Sequence, residues 1–262
     1  MTPFQADRAT AFRSLHQRFG AFVIANPWDA GSAKLLAGLG FEALATSSGA
    51  SAGARGKKDG ELTRDEALRH AREIVEAVEL PVSGDLENGF ANSPADVAET
   101  IRLAAQAGLV GASIEDFTGD KSRPFYDLAL ASERIAAAAQ AARSLPFAFT
   151  LTARCENFLR GHADLDDTIA RLRAYEAAGA DVLFAPGLPD LAAVRTVCAA
   201  LAKPFNFMCG MPGKSFSVAE LEAAGVKRIS VATSLYRVAM KAVREAATEI
   251  RSNGTFGYID RL

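Results

Sequence analysis

Short apolar runs rich in Val, Ile, Phe and Ala alternate along this chain with longer Ala/Glu/Arg-rich stretches of helical period. The runs predict strands over Phe22–Asn26, Ala43–Ser48, Pro81–Leu86, Gly111–Asp116, Phe147–Arg154, Asp181–Pro186, Phe205–Met208 and Arg228–Ala232. Between them the spacing predicts helices over Ala30–Ala37, Arg64–Val78, Pro94–Ala107, Leu128–Arg143, Leu165–Ala177, Leu188–Leu201 and Val218–Ala223. Ser93-Pro94 and Ser217 have the chemistry of helix starts. Leu39-Gly40-Phe41, Ala107-Gly108-Leu109, Ala178-Gly179-Ala180 and Ala224-Gly225-Val226 have that of helix stops. An extra helix, Asp7 to Phe19, precedes the first strand, and a last one runs from Leu235 to Ile250. Eight strands alternating with helices imply a parallel α/β sheet closed into a (β/α)8 TIM barrel, as one domain over residues 1–262. The competing open, doubly wound sheet needs a Gly-rich dinucleotide loop after the first strand. Asn26-Pro27-Trp28-Asp29-Ala30-Gly31 is not one.

Composition narrows the partners. The 262 residues are 49% hydrophobic and 23% charged, with a net charge of -2. Basic residues form no stripe, which argues against a nucleic-acid partner. No apolar run approaches the ~20 residues that span a bilayer, and residues 1–7 lack a signal-peptide pattern, so no membrane partner is expected. Three sparse cysteines, Cys155, Cys198 and Cys209, argue for a reducing cytoplasm rather than a disulfide framework. No CxxC or Cys/His cluster suggests zinc.

In such a barrel the reacting groups belong at the C-terminal ends of the strands. Asp85-Leu86-Glu87 ends the third run. Strand alternation points Asp85 and Glu87 the same way, and two such acids repel unless a cation or proton lies between them. Mg²⁺ (or Mn²⁺) suits a small set of carboxylate oxygens that leaves room for water and substrate. Glu115 and Asp116 end the next strand, and Arg154 the one after. A lone acid at a strand end is more often a helix cap, but two on a buried strand are costly without a partner. The expected metal set is Asp85, Glu87 and Glu115, facing the Arg154 fork that would clamp a small carboxylate substrate. Ser47, Ser48 and Gly49 offer hydroxyl and N–H groups to a carboxylate or oxyanion. Trp28, weighed also as packing under its loop, and Asn206 complete the expected substrate-binding set. Cys209 reads as a small buried hydrophobe. His16, His70 and His162 lie away from strand ends and read as surface groups, which leaves no obvious histidine base.

These stretches together resemble the isocitrate lyase / phosphoenolpyruvate mutase superfamily. The likeness is carried by Asn26-Pro27-Trp28-Asp29-Ala30-Gly31-Ser32-Ala33, Thr46-Ser47-Ser48-Gly49, Gly56-Lys57-Lys58-Asp59-Gly60 and Gly84-Asp85-Leu86-Glu87-Asn88-Gly89-Phe90. It continues in Ser113-Ile114-Glu115-Asp116, Thr152-Ala153-Arg154 and Tyr175-Glu176-Ala177-Ala178-Gly179-Ala180-Asp181. The resemblance implies a barrel whose last helix is swapped between paired subunits, giving a homo-oligomer, a dimer of helix-swapped dimers. It implies Mg²⁺ or Mn²⁺ held by Asp59, Asp85, Glu87 and Glu115, directly or through water. Ser47 would contact the substrate carboxylate, and Arg154 would stabilise an enolate. Glu87 stands where the family often has Asp.

The departures set the alternatives. Lyases of the family carry Lys-x-Cys-Gly on a lid after strand four, and the cysteine is the general acid. This chain has Phe117-Thr118-Gly119-Asp120-Lys121-Ser122-Arg123-Pro124-Phe125, without a cysteine. Mutases and phosphonopyruvate hydrolases carry Lys-x-Asn there, and a histidine after strand six. Lys121 matches, but Arg123 and Pro186 do not. The first expectation is a metal-dependent lyase or decarboxylase that breaks a C–C bond beside an α-oxo or 2-hydroxy carboxylate. Arg154, Lys121 and Asp59 would be its catalytic residues, with Lys121, Tyr126 or a bound water handling the proton. The alternatives are phosphonate chemistry, a C–P mutase or hydrolase acting on phosphonopyruvate or carboxyphosphonate, and a non-catalytic α-oxo acid binding protein.

Overall fold

A computed structural model describes residues 4–261. Eight parallel strands form one sheet: β1 (Phe22–Ile24), β2 (Leu44–Ala45), β3 (Val82–Asp85), β4 (Gly111–Glu115), β5 (Thr150–Arg154), β6 (Val182–Phe184), β7 (Phe205–Met208) and β8 (Arg228–Ser230). Neighbours pair in chain order, and β1 also pairs with β8. The remaining seam is closed by a parallel bridge between Ala25 and Leu44. Asn26 staples that seam: its Nδ2 donates to the carbonyls of Ala45 and Thr46, and its Oδ1 accepts the Val231 N–H. The expected (β/α)8 barrel is therefore the observed fold.

The surrounding helices are α1 (Gln5–Gln17), α2 (Ala30–Gly38), α3 (Ser48–Ala54), α4 (Arg64–Ala77), α5 (Pro94–Gln106), α6 (Leu128–Arg143), α7 (Leu165–Ala177), α8 (Leu191–Ala200), α9 (Val218–Ala223) and α10 (Ser234–Asn253). A terminal 3-10 helix spans Gly257–Arg261. Their starts are chemical. Thr63 with Glu66 and Ser217 with Glu220 form capping boxes, and Ser93 caps a helix that opens on Pro94. Helix α8 begins three residues later than the apolar pattern suggests, because Asp190 accepts the Ala193 N–H at 2.8 Å and sets the start. The predicted stops at Gly40, Gly108, Gly179 and Gly225 all have positive φ. Gly108, at φ +93, would carry a Cβ only 2.7 Å from Val75 Cγ1. Gly108→Ala combines left-handed strain with overpacking and is expected to destabilise the chain by about 2–4 kcal/mol in denaturant unfolding.

Helix α1 plugs the N-terminal end of the barrel. Ala9, Phe12 and Leu15 pack with Phe22, Ile24, Ala43 and Val110, most of them at or just before strand starts. Gln5 Nε2 donates to the carbonyls of Ala105 and Leu109. His16 belongs to this plug and is buried, which corrects the surface reading. Its ring meets Phe12 and Phe22 edge-on, and its Nδ1–H donates to Phe12 O at 2.8 Å. Burial, then the nearby Arg228 charge, lowers its pKa to about 3. The unfolded chain protonates this imidazole near pH 6.5. Stability is therefore lost as pH falls below that value, by about 2 kcal/mol from pH 7 to pH 5. His16→Gln is expected to remove that part of the pH dependence, as read from urea unfolding at the two pH values.

Among the described residues no helix is long and apolar enough to cross a membrane.

Candidate active site

Asp85 is the last residue of β3, and its surroundings are built from β2 onward. The second strand ends at Ala45 rather than Ser48, because Ser47 becomes the cap of the unpredicted α3 and its hydroxyl accepts the Ala50 N–H at 3.4 Å. The Ser48 N–H donates to Asp85 Oδ2 at 3.0 Å, and Thr46 Oγ1 accepts the Asp85 N–H at 2.9 Å. The Ser48 N–H is thus already spent on local structure, whereas the Ser47 hydroxyl only accepts there and keeps its O–H to donate. The Gly49 N–H is not spent either: at the second position of a helix it has no intrahelical acceptor. A Cβ on Gly49 would fall 2.8 Å from Thr233 Cγ2 and 3.4 Å from the Asp59 carboxyl, so glycine lets Asp59 lie over α3.

Glu87 reaches the same rim by a different route from the one alternation predicts. The strand stops at Asp85, Leu86 is buried in the core, and Glu87 takes a left-handed turn at φ 48. Every non-glycine residue with positive φ among the described residues lies in a loop after a strand: Glu87 and Phe90 after β3, Ala232 after β8. Arg134, fully buried on α6, holds the first of these loops. It donates to the carbonyls of Asn88, Ala91 and Asn92 while its guanidinium covers the Tyr126 ring. Burial, then the charges of Asp85 and Asp59, raises the Glu87 carboxyl to a pKa of about 8. The three acids therefore share one unfavourable negative field.

That field fits a divalent cation. Among the described residues no three His, Cys, Asp or Glu side chains converge as a preformed cage. Mg²⁺ characteristically uses one or two carboxylates and keeps several waters, so Asp85, Glu87 and the exposed Asp59 are a suitable donor set.

Arg154 ends β5 beside this group and is nearly buried. It pairs with Glu156, with Glu115 at 3.4 Å and with Asp85 at 3.8 Å. These carboxylates outweigh the cost of burial and raise its pKa, so it stays charged. Glu115 is also 3.6 Å from Arg160, and burial followed by the Glu156 charge raises its own pKa well above the usual carboxylate range. Its oxygens face Arg154 and Arg160 rather than an open coordination position, unlike those of Asp85 and Glu87. Glu156 stands with Arg154 at the end of the fifth strand run in the sequence, whereas Arg160 lies beyond the strand ends, although its i,i+4 spacing from Glu156 is a pairing signal. Arg160 stacks 3.7 Å over Phe117 and ties the group to the base of the following turn. Asp116 points elsewhere. It accepts from Tyr175 Oη at 2.6 Å, Arg171 Nη1 at 3.3 Å and the Glu156 N–H at 2.8 Å, a buried scaffold.

The other expected residues separate. Lys121 is exposed on a turn closed by a Phe117–Phe125 bridge and has no polar partner among the described residues. Tyr126, weighed for the proton, is buried and donates its hydroxyl to Asn92 Oδ1 at 2.6 Å. Trp28 meets Tyr236 of α10 edge-on at 5.8 Å, the packing role. Its carbonyl faces His70 Nε2 at 2.9 Å, and His70 Nδ1 faces Ser51 Oγ of α3 at 2.8 Å. His70 is buried, again against the surface reading, because it joins the β1 loop to α3. Only His162 of the three histidines is exposed. Asn206 faces the barrel interior, with both amide ends engaged by Arg228 and Ser230.

Residues 12–251 match the phosphoenolpyruvate phosphomutase family. The chain belongs to that family. It lies within the isocitrate lyase/phosphoenolpyruvate mutase superfamily, as an enzyme of its carbon–carbon lyase type with the subclass open. A solved Burkholderia cenocepacia J2315 structure, provisionally described as a lyase/mutase, superposes with a TM-score of 0.97 at 56% identity, covering 98% of this chain and 93% of that one. The 2-methylisocitrate lyase of Escherichia coli K12 is 30% identical over 94% of this chain and 85% of its own length. Oxaloacetate decarboxylase 2 of Pseudomonas fluorescens Pf0-1 is 31% identical over 75% of this chain and 67% of its own length.

Proposed function

We propose that this protein is a Mg²⁺- or Mn²⁺-dependent lyase that decarboxylates an oxaloacetate-like α-oxo dicarboxylate. The observation that carries the reading is Arg154, held charged at the mouth beside the acid group of Asp85, Glu87 and Asp59. Two of the relatives act, by name, on 2-methylisocitrate and oxaloacetate. The cation would be held by Asp85 and Glu87, with Asp59 and Glu115 around it, and would supply charge to the α-oxo carboxylate. Gly49 N–H and the Ser47 hydroxyl receive the carboxylate, with Ser48 positioning Asp85 and Trp28 packing the wall.

The bond between the β-carbon and its carboxylate breaks. Its electron pair enters the enolate, and carbon dioxide leaves. Arg154 donates N–H groups to the growing negative charge on the enolate oxygen. Lys121 Nζ, exposed on its turn in this structure, would return one proton to the β-carbon on closure of that turn, which yields pyruvate. This route needs no lid cysteine, whereas retro-aldol cleavage needs a stronger acid and base at the site.

Helix α10 supports a homo-oligomer. None of its 20 residues is buried, and Val238, Met240, Val243 and Ile250 are exposed. An amphipathic helix with its apolar side chains uncovered fits exchange with a second copy. The reading includes a cytoplasmic setting, in keeping with three free cysteines.

The test is pyruvate release with Mg²⁺ from oxaloacetate, 2-methylisocitrate, a dialkylmalate and phosphonopyruvate in parallel. Oxaloacetate is expected to give pyruvate. Pyruvate from phosphonopyruvate alone would move the enzyme to C–P chemistry, and turnover of none would favour a binding protein.

A further inference from the structure

The interior of this barrel is polar where such barrels are usually filled by Val, Ile and Leu. A cavity of about 60 Å³ runs inside it, touched by residues of all eight strands. Asp85 and Arg154 lie at its upper end, and Ser83, Ser113 and Ser230 line its wall. Arg228, buried on β8, also lines it, at a deeper level: its side chain reaches Thr152, two residues below Arg154 on β5, and His16 of the plug.

Arg228 has a complete charge and no carboxylate. Among the described residues it makes no ion pair, and its partners are Asn206 Oδ1 at 2.8 Å, Thr152 Oγ1 at 2.9 Å and His16 Nε2 at 3.4 Å. His16 is neutral there, because burial lowers its pKa to about 3, and with Nδ1–H given to Phe12 O its Nε2 is left to accept from Arg228. A guanidinium has five N–H groups. Three are used, which leaves two without a protein acceptor. The other buried and nearly buried arginines are differently served: Arg154 has three carboxylates, Arg171 two and Arg134 three carbonyls. Burial lowers the Arg228 pKa to about 9, so the group remains a cation at neutral pH. An isolated buried charge is among the costliest features a fold can carry.

We propose that the deep end of this cavity is an anion seat, in which Arg228 holds a small monovalent anion of halide or carboxylate size. At about 60 Å³ the cavity exceeds the roughly 10–15 Å³ that one water needs, so it has room for a halide, a formate or the carboxylate end of a longer acid. The anion could be free or the far arm of a substrate bound at the mouth, and the two sources are separable.

The melting midpoint of the metal-free, substrate-free protein is measured in sodium gluconate, with chloride, bromide or formate exchanged in at constant ionic strength. Gluconate, hydroxylated on every carbon beyond its carboxylate, is the bulkiest of these anions and serves as the reference. A saturable rise of about 3–6 °C is expected at ten times the dissociation constant. Arg228→Met is expected to be flat. Because that variant could fold poorly, bromide is also located by its anomalous signal in crystals of the unaltered protein, with a peak expected against the Arg228 guanidinium. Loss of that peak when a four-carbon diacid and Mg²⁺ are added would assign the seat to the substrate arm, and its persistence to a free anion. No saturable shift and no peak at Arg228 would overturn the proposal. The first two arms contain neither metal nor substrate, so they stand or fall apart from the decarboxylase reading.

Discussion

Replacing Arg154 by lysine is expected to lower kcat/KM by on the order of 10²–10³-fold while the protein stays folded. Lysine keeps the positive charge that Glu115 and Glu156 need in the interior. It loses the planar fork, so it cannot face those carboxylates and a developing enolate oxygen together. Arg154→Ala is a different experiment. It strands the fully buried Glu156 and the nearly buried Glu115 without their main counter-charge, which costs about 3–5 kcal/mol where a buried pair is broken. Steady-state kinetics and thermal melting of both variants separate the two effects. A lysine variant with unchanged kcat/KM would remove Arg154 from the chemistry.

Asp85→Asn is expected to weaken Mg²⁺ binding by on the order of 10²-fold or more, measured by calorimetry, and to abolish turnover with it. Asparagine preserves the shape that accepts the Ser48 N–H if its amide oxygen takes that place, so α3 keeps its anchor. What disappears is one negative charge from the field around Glu87. The Glu87 carboxyl is then expected to titrate below its present value of about 8, because one of the like charges raising it is gone. Unchanged Mg²⁺ affinity in Asp85→Asn would place the metal elsewhere.

The barrel was legible because its signals are local and repeated. Four glycine stops and the apolar strand runs each report on a few neighbouring residues, and together they specify eight units. The site was legible as a list of strand-end residues but not as an arrangement. Period-two alternation placed Asp85 and Glu87 together, and the structure reaches that result through a left-handed Glu87 outside the strand. Helix α3 was missed because its small residues, Ser-Gly-Ala-Ser-Ala-Gly-Ala, carry no apolar stripe, and its start depends on the Ser48 bond to Asp85. His16 and His70 were misplaced because helix position alone does not tell whether a face meets solvent, a plug or a neighbouring helix.

The sequence by itself determined the fold class, the order of elements and which acids and arginines stand at strand ends, since these follow from short-range periodicity and turn chemistry. The tertiary structure decided which charges neutralise one another. Arg154 gathered three carboxylates, while Arg228 gathered none and faces a cavity. Both arginines look alike in sequence, each on an apolar strand. Their difference arises only when eight strands close around one axis and bring residues far apart in the chain within a few ångströms, where low dielectric makes the partner of each charge decisive.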